Sequence, residues 1–247
     1  MPATPGKAKT AAKPKVKAAS LHTLYPGPAT RIASFDAVPV TVVHGNCLDA
    51  LVGFIDGADV VVGCVAWVRN PVVLQHLAAR PAMLVIQKES HWKGAEGSKP
   101  ANRKVTSAYT LALHTGSQIS PAHIPGRLLG DSQSELPRFA CAGFGPATKF
   151  RPLLHDKFLV ACAWRDTPTG RVLDPYAAWT GSFNFSTVAA GSLENAVILG
   201  AHEPAQAYLE EWARIVTIAE PLAWAHTAPQ PGALLARLPR TSTGLVA

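Results

Sequence analysis

The sequence predicts an α/β fold: a mixed, largely parallel β-sheet flanked by helices. Two observations predict it. Short apolar runs of strand length recur along the 247 residues, which are 48% hydrophobic and so supply a sizeable core. Between two of those runs lies a helical segment with its own start signal, and this strand–helix–strand spacing favours parallel pairing through a right-handed crossover.

The first 20 residues carry five lysines and no acids and read as a disordered arm. Residues 21–37 are irregular. Val38 to His44 alternates as a strand, and Cys47 to Ile55 suits a helix ahead of Asp56-Gly57. Val60 to Val68 is a continuous apolar run, expected as a buried strand. Asn70 then caps a helix over Pro71 to Ala79, with proline at its first position, and Met83 to Gln87 is the next strand. A polar loop follows over Glu89 to Arg103. There Lys88, Lys93, Lys99, Arg103 and Lys104 outnumber Glu89 and Glu96, which suits a solvated loop more than the border of a substrate groove.

Tyr109 to His114 fits helix and strand equally. Phe139 to Gly143, Phe150 to Trp164, Tyr176 to Thr180 and Glu194 to Gly200 are strands. Glu203 to Ile218 is an amphipathic helix, with Tyr208, Trp212 and Ile215 on one face and Glu210 and Glu211 on another. Its acidity places it away from any polyanion. The Pro-containing tail, 227–247, has little to bury, although Leu234, Leu235 and Leu238 suit one short helix. The expected organisation is an arm over 1–20, a single domain over 38–226 and a flexible tail over 227–247.

Charge is unevenly placed. The formal net charge is +7, but all 16 acidic residues fall within 21–226, where 16 basic residues balance them. The basicity lives in the tails, and a lysine arm of this kind binds nucleic-acid phosphates without regard to sequence. No apolar anchor accompanies those lysines, no leader-like apolar segment opens the chain, and no run reaches spanning length, so a membrane role is not expected. Cys47, Cys64, Cys141 and Cys162 are scattered without metal-ligand spacing. They read as free thiols of a cytoplasmic protein.

The chemistry concentrates in Leu154-His155-Asp156-Lys157, then Gly181-Ser182-Phe183-Asn184-Phe185-Ser186, then Glu194-Asn195. If the Phe150–Trp164 strand includes both residues, His155 and Lys157 share one face. A lysine beside a histidine is costly in a core and sensible beneath a phosphate. Gly181 permits close backbone approach, Ser182 and Asn184 can donate to phosphate oxygens, and Ser186-Thr187 can cap a short helix. Glu194 is placed to accept from the His155 imidazole, fixing its tautomer and leaving the other nitrogen to attack. An unperturbed imidazole titrates near ~6.5 and is mostly neutral and nucleophilic at neutral pH. Lys157, Ser182 and Asn184 would neutralise the equatorial oxygens, a task metals perform elsewhere, so no cofactor or metal is expected. His91-Trp92-Lys93 repeats the HxK spacing but lacks a flanking strand and a following GSxN turn, and reads as loop. Trp67, Trp179 and Phe183 suit core packing more than site lining.

These motifs resemble the phospholipase D superfamily: HxK, then GSxNxS, then a downstream Glu-Asn. The chain looks most similar to the minimal branch with one motif per chain, which includes metal-independent endonucleases. In place of an aspartate common five residues after the lysine stands Cys162. The resemblance implies catalytic roles for His155, Lys157, Ser182, Asn184 and Glu194, a phosphohistidine intermediate, and a homodimer whose two histidines meet at the two-fold axis. It implies a nucleic-acid substrate, DNA ahead of RNA. A lipid phosphodiesterase of phospholipase D type is the alternative, and a non-catalytic nucleic-acid-binding module on the same fold is a third.

Overall fold

The computed structural model describes residues 37–88, 116–125, 134–144 and 152–222. The lysine arm, the 89–103 loop with His91-Trp92-Lys93, the Tyr109–His114 segment and the C-terminal tail lie outside the described residues. The elements run β1 (Val40–His44), α1 (Cys47–Asp56), β2 (Val60–Val65), α2 (Pro71–Ala78), β3 (Ala82–Gln87), a 3-10 turn (Pro121–His123), β4 (Phe139–Ala142), β5 (Lys157–Thr167), β6 (Gly170–Gly181), α3 (Thr187–Ala190), β7 (Asn195–Leu199), α4 (His202–Val216) and β8 (Glu220–Pro221).

Among the described residues, eight strands join one sheet in the order β1-β7-β6-β5-β2-β3-β4-β8. The sheet is mixed, as expected, but its parallel part is confined to β2–β3–β4. The five other pairings are antiparallel. The reason is local: β5 and β6 form one long hairpin turning at Thr167–Gly170, so the chain doubles back without a helical crossover. β6 accordingly spans 12 residues, far more than the apolar Tyr176–Thr180 core of the strand suggested.

Alternation along β2 sorts the core into two layers. Val61 and Val65 pack with Leu51 and Ile55 of α1, Leu74 and Leu77 of α2, and Trp179, Phe183 and Phe185. Val60, Val62 and Cys64 face the other way, onto Leu209, Trp212, Ala213 and Val216 of α4. Asn70 caps α2 through its side chain, which accepts from the Val72 N–H at 2.9 Å. Within α4, Trp212 and Ile215 are buried and Tyr208 stacks near Phe158 at 4.9 Å, in line with the amphipathic pattern. All four cysteines are buried and free. Among the described residues, no helix is long and apolar enough to cross a membrane.

Lys88 departs from its expected place among solvated loop cations. It is 1% exposed and forms a buried ion pair with Glu220 of β8, fastening the last strand to the sheet.

Candidate active site

The carboxyl ends of β2, β3, β4 and β6 and the amino ends of β5 and β7 lie along one edge of the sheet. Every residue expected in the site sits on this edge. The edge of an open α/β sheet beyond its strand ends is where such folds place ligands.

β5 begins at Lys157, so His155 lies just outside the strand rather than within it. The ladder stops there for a physical reason: Pro152 has no N–H, and the Leu154 N–H is taken by the Gln87 side chain at 2.6 Å. The Asp156 carbonyl accepts from the Ala66 N–H at 2.8 Å. Despite the interrupted strand, the two side chains meet. Lys157 Nζ lies 3.3 Å from His155 Nδ1 and 3.4 Å from Nε2, and donates to the His155 carbonyl at 3.0 Å. The imidazole is exposed, and the Trp67 indole stands edge-on to it at 5.4 Å. Burial pulls the Lys157 ammonium below its ordinary pKa, while the carboxylates of Asp156 and Glu194 oppose that shift.

The GSxN turn continues β6 onto the start of β7. A Cβ on Gly181 would lie 2.3 Å from the Asn195 carbonyl, so glycine allows the two strands to close here. The Ser182 N–H donates to the Asn195 carbonyl at 3.0 Å, and Ser182 Oγ accepts from the Asn195 N–H at 3.1 Å. The Ser182 hydroxyl donates to Glu194 Oε2 at 2.5 Å. Glu194 thus holds the serine, whereas the sequence reading had it accepting from His155; among the described residues the imidazole's neighbours are Lys157 and Trp67. Asn184 Oδ1 is buried with no hydrogen-bond partner among the described residues, an unmet acceptor within the turn.

The backbone beyond Asn184 ties this turn to the segment that carries Trp67. The Phe185 N–H donates to the Trp67 carbonyl at 3.0 Å, and the Phe185 carbonyl accepts from Arg69 and Asn70. Ser186 then caps the short α3 by accepting from the Ala189 N–H at 3.1 Å. Phe183 and Trp179 are fully buried and belong to the core. Trp67 alone of the three aromatic candidates reaches the site.

Lys157 has three N–H donors; the His155 carbonyl takes one and an imidazole nitrogen another, leaving one for a bound anion. Asn184 carries an NH2 beside its unpartnered Oδ1, and only that NH2 could donate to an anion. Ser182 can join them only by releasing Glu194. Among the described residues, no group of three or more His, Cys, Asp or Glu side chains is placed to hold a metal ion.

No family model matches the chain. An uncharacterised protein, L381, of Acanthamoeba polyphaga mimivirus is 24% identical over 192 residues, 70% of this chain and 64% of that one. The chain therefore spans less than two thirds of that relative's length. Among solved structures, Nuc from Salmonella typhimurium, a phospholipase D family member, is similar over 73% of this chain and 95% of its own, at 19% identity and a TM-score of 0.46. NucT from Helicobacter pylori is similar over 72% and 97%, at 10% identity and a TM-score of 0.44. A phosphatidylserine synthase from Haemophilus influenzae covers 85% of this chain and 43% of its own, at 11% identity and a TM-score of 0.38.

In its HxK, GSxNxS and Glu-Asn motifs the chain resembles the phospholipase D superfamily. Its phospholipase D-like motifs keep their order and share one sheet edge, and the one departure lies away from that edge. Cys162 stands five residues into β5, fully buried against the α4 layer, where burial pushes its thiol pKa up.

Proposed function

We propose that this chain is a phosphodiesterase that hydrolyses nucleic-acid phosphodiester bonds through a phosphohistidine intermediate, a metal-independent endonuclease that acts as a homodimer. The observation that carries this reading is the contact of Lys157 Nζ with the exposed His155 imidazole.

As the Lys157 ammonium turns from the ring of His155 onto the phosphate, the imidazole nitrogen it releases attacks phosphorus, forming the N–P bond as the bond to the leaving oxygen breaks. That oxygen takes a proton from an acid, and water then cleaves the N–P bond. Lys157 and Asn184 stabilise the charge on the equatorial oxygens. The Glu194–Ser182 bond holds the turn in register. An attacking imidazole bonded to phosphorus cannot also protonate the leaving oxygen, so a second imidazole from a partner copy completes the site. Val188 of α3 and Leu193, which precedes Glu194, are 81% and 101% exposed and would give that copy apolar side chains to contact.

The test is cleavage of labelled single- and double-stranded DNA and RNA in excess EDTA, with His155→Ala alongside. Cleavage by the parent alone supports the reading and identifies the polymer. Cleavage abolished by chelation refutes the metal-independent mechanism, and binding without turnover in the parent favours a non-catalytic module. Turnover of phospholipid vesicles instead would favour the lipid phosphodiesterase. Mixing His155→Ala with Lys157→Ala chains is expected to leave activity lost, because both defects fall in one composite site.

A further inference from the structure

We propose that Gln87, remote from the motifs in sequence, is the positioning residue for His155. This rests on the nucleophilic role of His155 argued above. Gln87 ends β3, is 3% exposed, and spends its whole side-chain amide on three backbone partners. Its nitrogen donates to the carbonyls of Lys88 at 2.8 Å and Phe144 at 2.7 Å, and its oxygen accepts from the Leu154 N–H at 2.6 Å. One side chain thereby joins the ends of β3 and β4 to the segment that delivers His155.

That segment needs such an anchor because the sheet does not supply one. His155 lies outside β5, where no ladder bond fixes its backbone. It is held on one side by Leu154, whose side chain is buried and whose N–H meets Gln87. On the other side it is held by the Asp156 carbonyl, which accepts from Ala66. The Phe144 N–H also donates to the Pro152 carbonyl at 3.3 Å, so the clamp has two strands of contact. Gly143 fits it closely: its φ is +83°, and a Cβ there would lie 2.5 Å from Gln87 Oε1 and 2.8 Å from the Leu154 nitrogen. The space is shaped around this amide. Releasing the Leu154 N–H frees the backbone one residue before the attacking imidazole, and small misplacement of a reacting group lowers turnover more than binding.

The experiment compares the parent with Gln87→Leu, which removes all three bonds, and Gln87→Asn, which draws the amide back by one methylene. Gln87→Glu keeps an oxygen for the Leu154 N–H. Leu209→Ala, in the α4 core, serves as a destabilised control. Turnover of bis(p-nitrophenyl) phosphate is measured per folded molecule in excess EDTA, and the ring resonances of His155 are followed by NMR with and without inorganic phosphate.

Gln87→Leu and Gln87→Asn are expected to lose ~10- to 100-fold in kcat while KM stays within about twofold. The His155 ring signals should shift and broaden, Gln87→Glu should recover part of the loss, and Leu209→Ala should retain the parent kcat and His155 signals. If Gln87→Leu does not fold, Gln87→Asn decides. Either variant folded, with parent kcat and unaltered His155 resonances, overturns the proposal. If the parent itself lacks turnover, the catalytic reading fails while the ring signals still judge the positioning: displaced in the Gln87 variants alone they support it, and unmoved they overturn it.

Discussion

Replacing Lys157 by methionine keeps the aliphatic stem and removes the charge, which isolates the ammonium's contribution to turnover. The residue is half-buried at the mouth of the sheet edge, so neither bulk water nor a dry interior describes its surroundings. A phosphate oxygen about 4 Å from the ammonium feels between about 1 kcal/mol, the value in water, and about 4 kcal/mol at an effective dielectric near 20. At about 1.4 kcal/mol per decade, the expected loss in kcat/KM is between ~5-fold and ~700-fold. Lys157→Arg should recover only part of it. The guanidinium restores charge, but its planar fork cannot reproduce the ammonium's paired contacts to the His155 carbonyl and ring. The assay is hydrolysis of bis(p-nitrophenyl) phosphate in excess EDTA near neutral pH, with circular dichroism to verify the fold. A methionine variant within about twofold of the parent would refute the phosphate-binding role of Lys157.

Two further predictions concern charge. Burial depresses the Lys157 pKa, so activity that needs the charged ammonium should disappear with rising pH below the ~10.4 of free lysine. Asp156 opposes that depression; Asp156→Asn removes its support, and the alkaline limb of the pH–rate profile should move to lower pH. A shift to higher pH would contradict the assignment. At the buried Lys88–Glu220 pair, Lys88→Met leaves a carboxylate without its ammonium and should cost about 3–5 kcal/mol, whereas adding Glu220→Leu should recover most of that. Urea denaturation of the parent and the two variants measures both, and a double variant less stable than Lys88→Met would sink the argument.

The strands and helices that carry the site were legible because their signals are local. Asn70 before Pro71 announced α2, and the apolar run of β2 announced a central strand. The site residues were legible as types, since HxK and GSxN name groups that suit a phosphate. Three features were not. The antiparallel half of the sheet depends on how the β5–β6 hairpin docks, and apolar pattern does not encode that. The ladder's end at Lys157 depends on a side chain 67 residues away, because Gln87 captures the Leu154 N–H. The burial of Lys88 depends on a carboxylate 132 residues further on. For Gln87 a faint signal existed: it is the polar end of the Ala82–Gln87 run, where an unpaired amide would be costly.

The protons available at the site bear on the number of chains the reaction needs. In one chain, His155 is committed to phosphorus once it attacks, Lys157 spends two of its three donors on His155, and the Ser182 proton is held by Glu194. The proposed partner copy supplies the missing acid, and its contact face can be tested without touching any of these groups. Val188 and Leu193 are so exposed that replacing both with glutamine removes apolar contact area without disturbing the core of the single chain. On the dimeric reading, the double variant should sediment as a monomer, keep the parent's circular dichroism spectrum, and lose turnover. A monomeric variant as active as the parent would show that one chain suffices, and the leaving oxygen would then take its proton from water or from Lys157. A fully active dimer would instead move the interface to another face of the sheet.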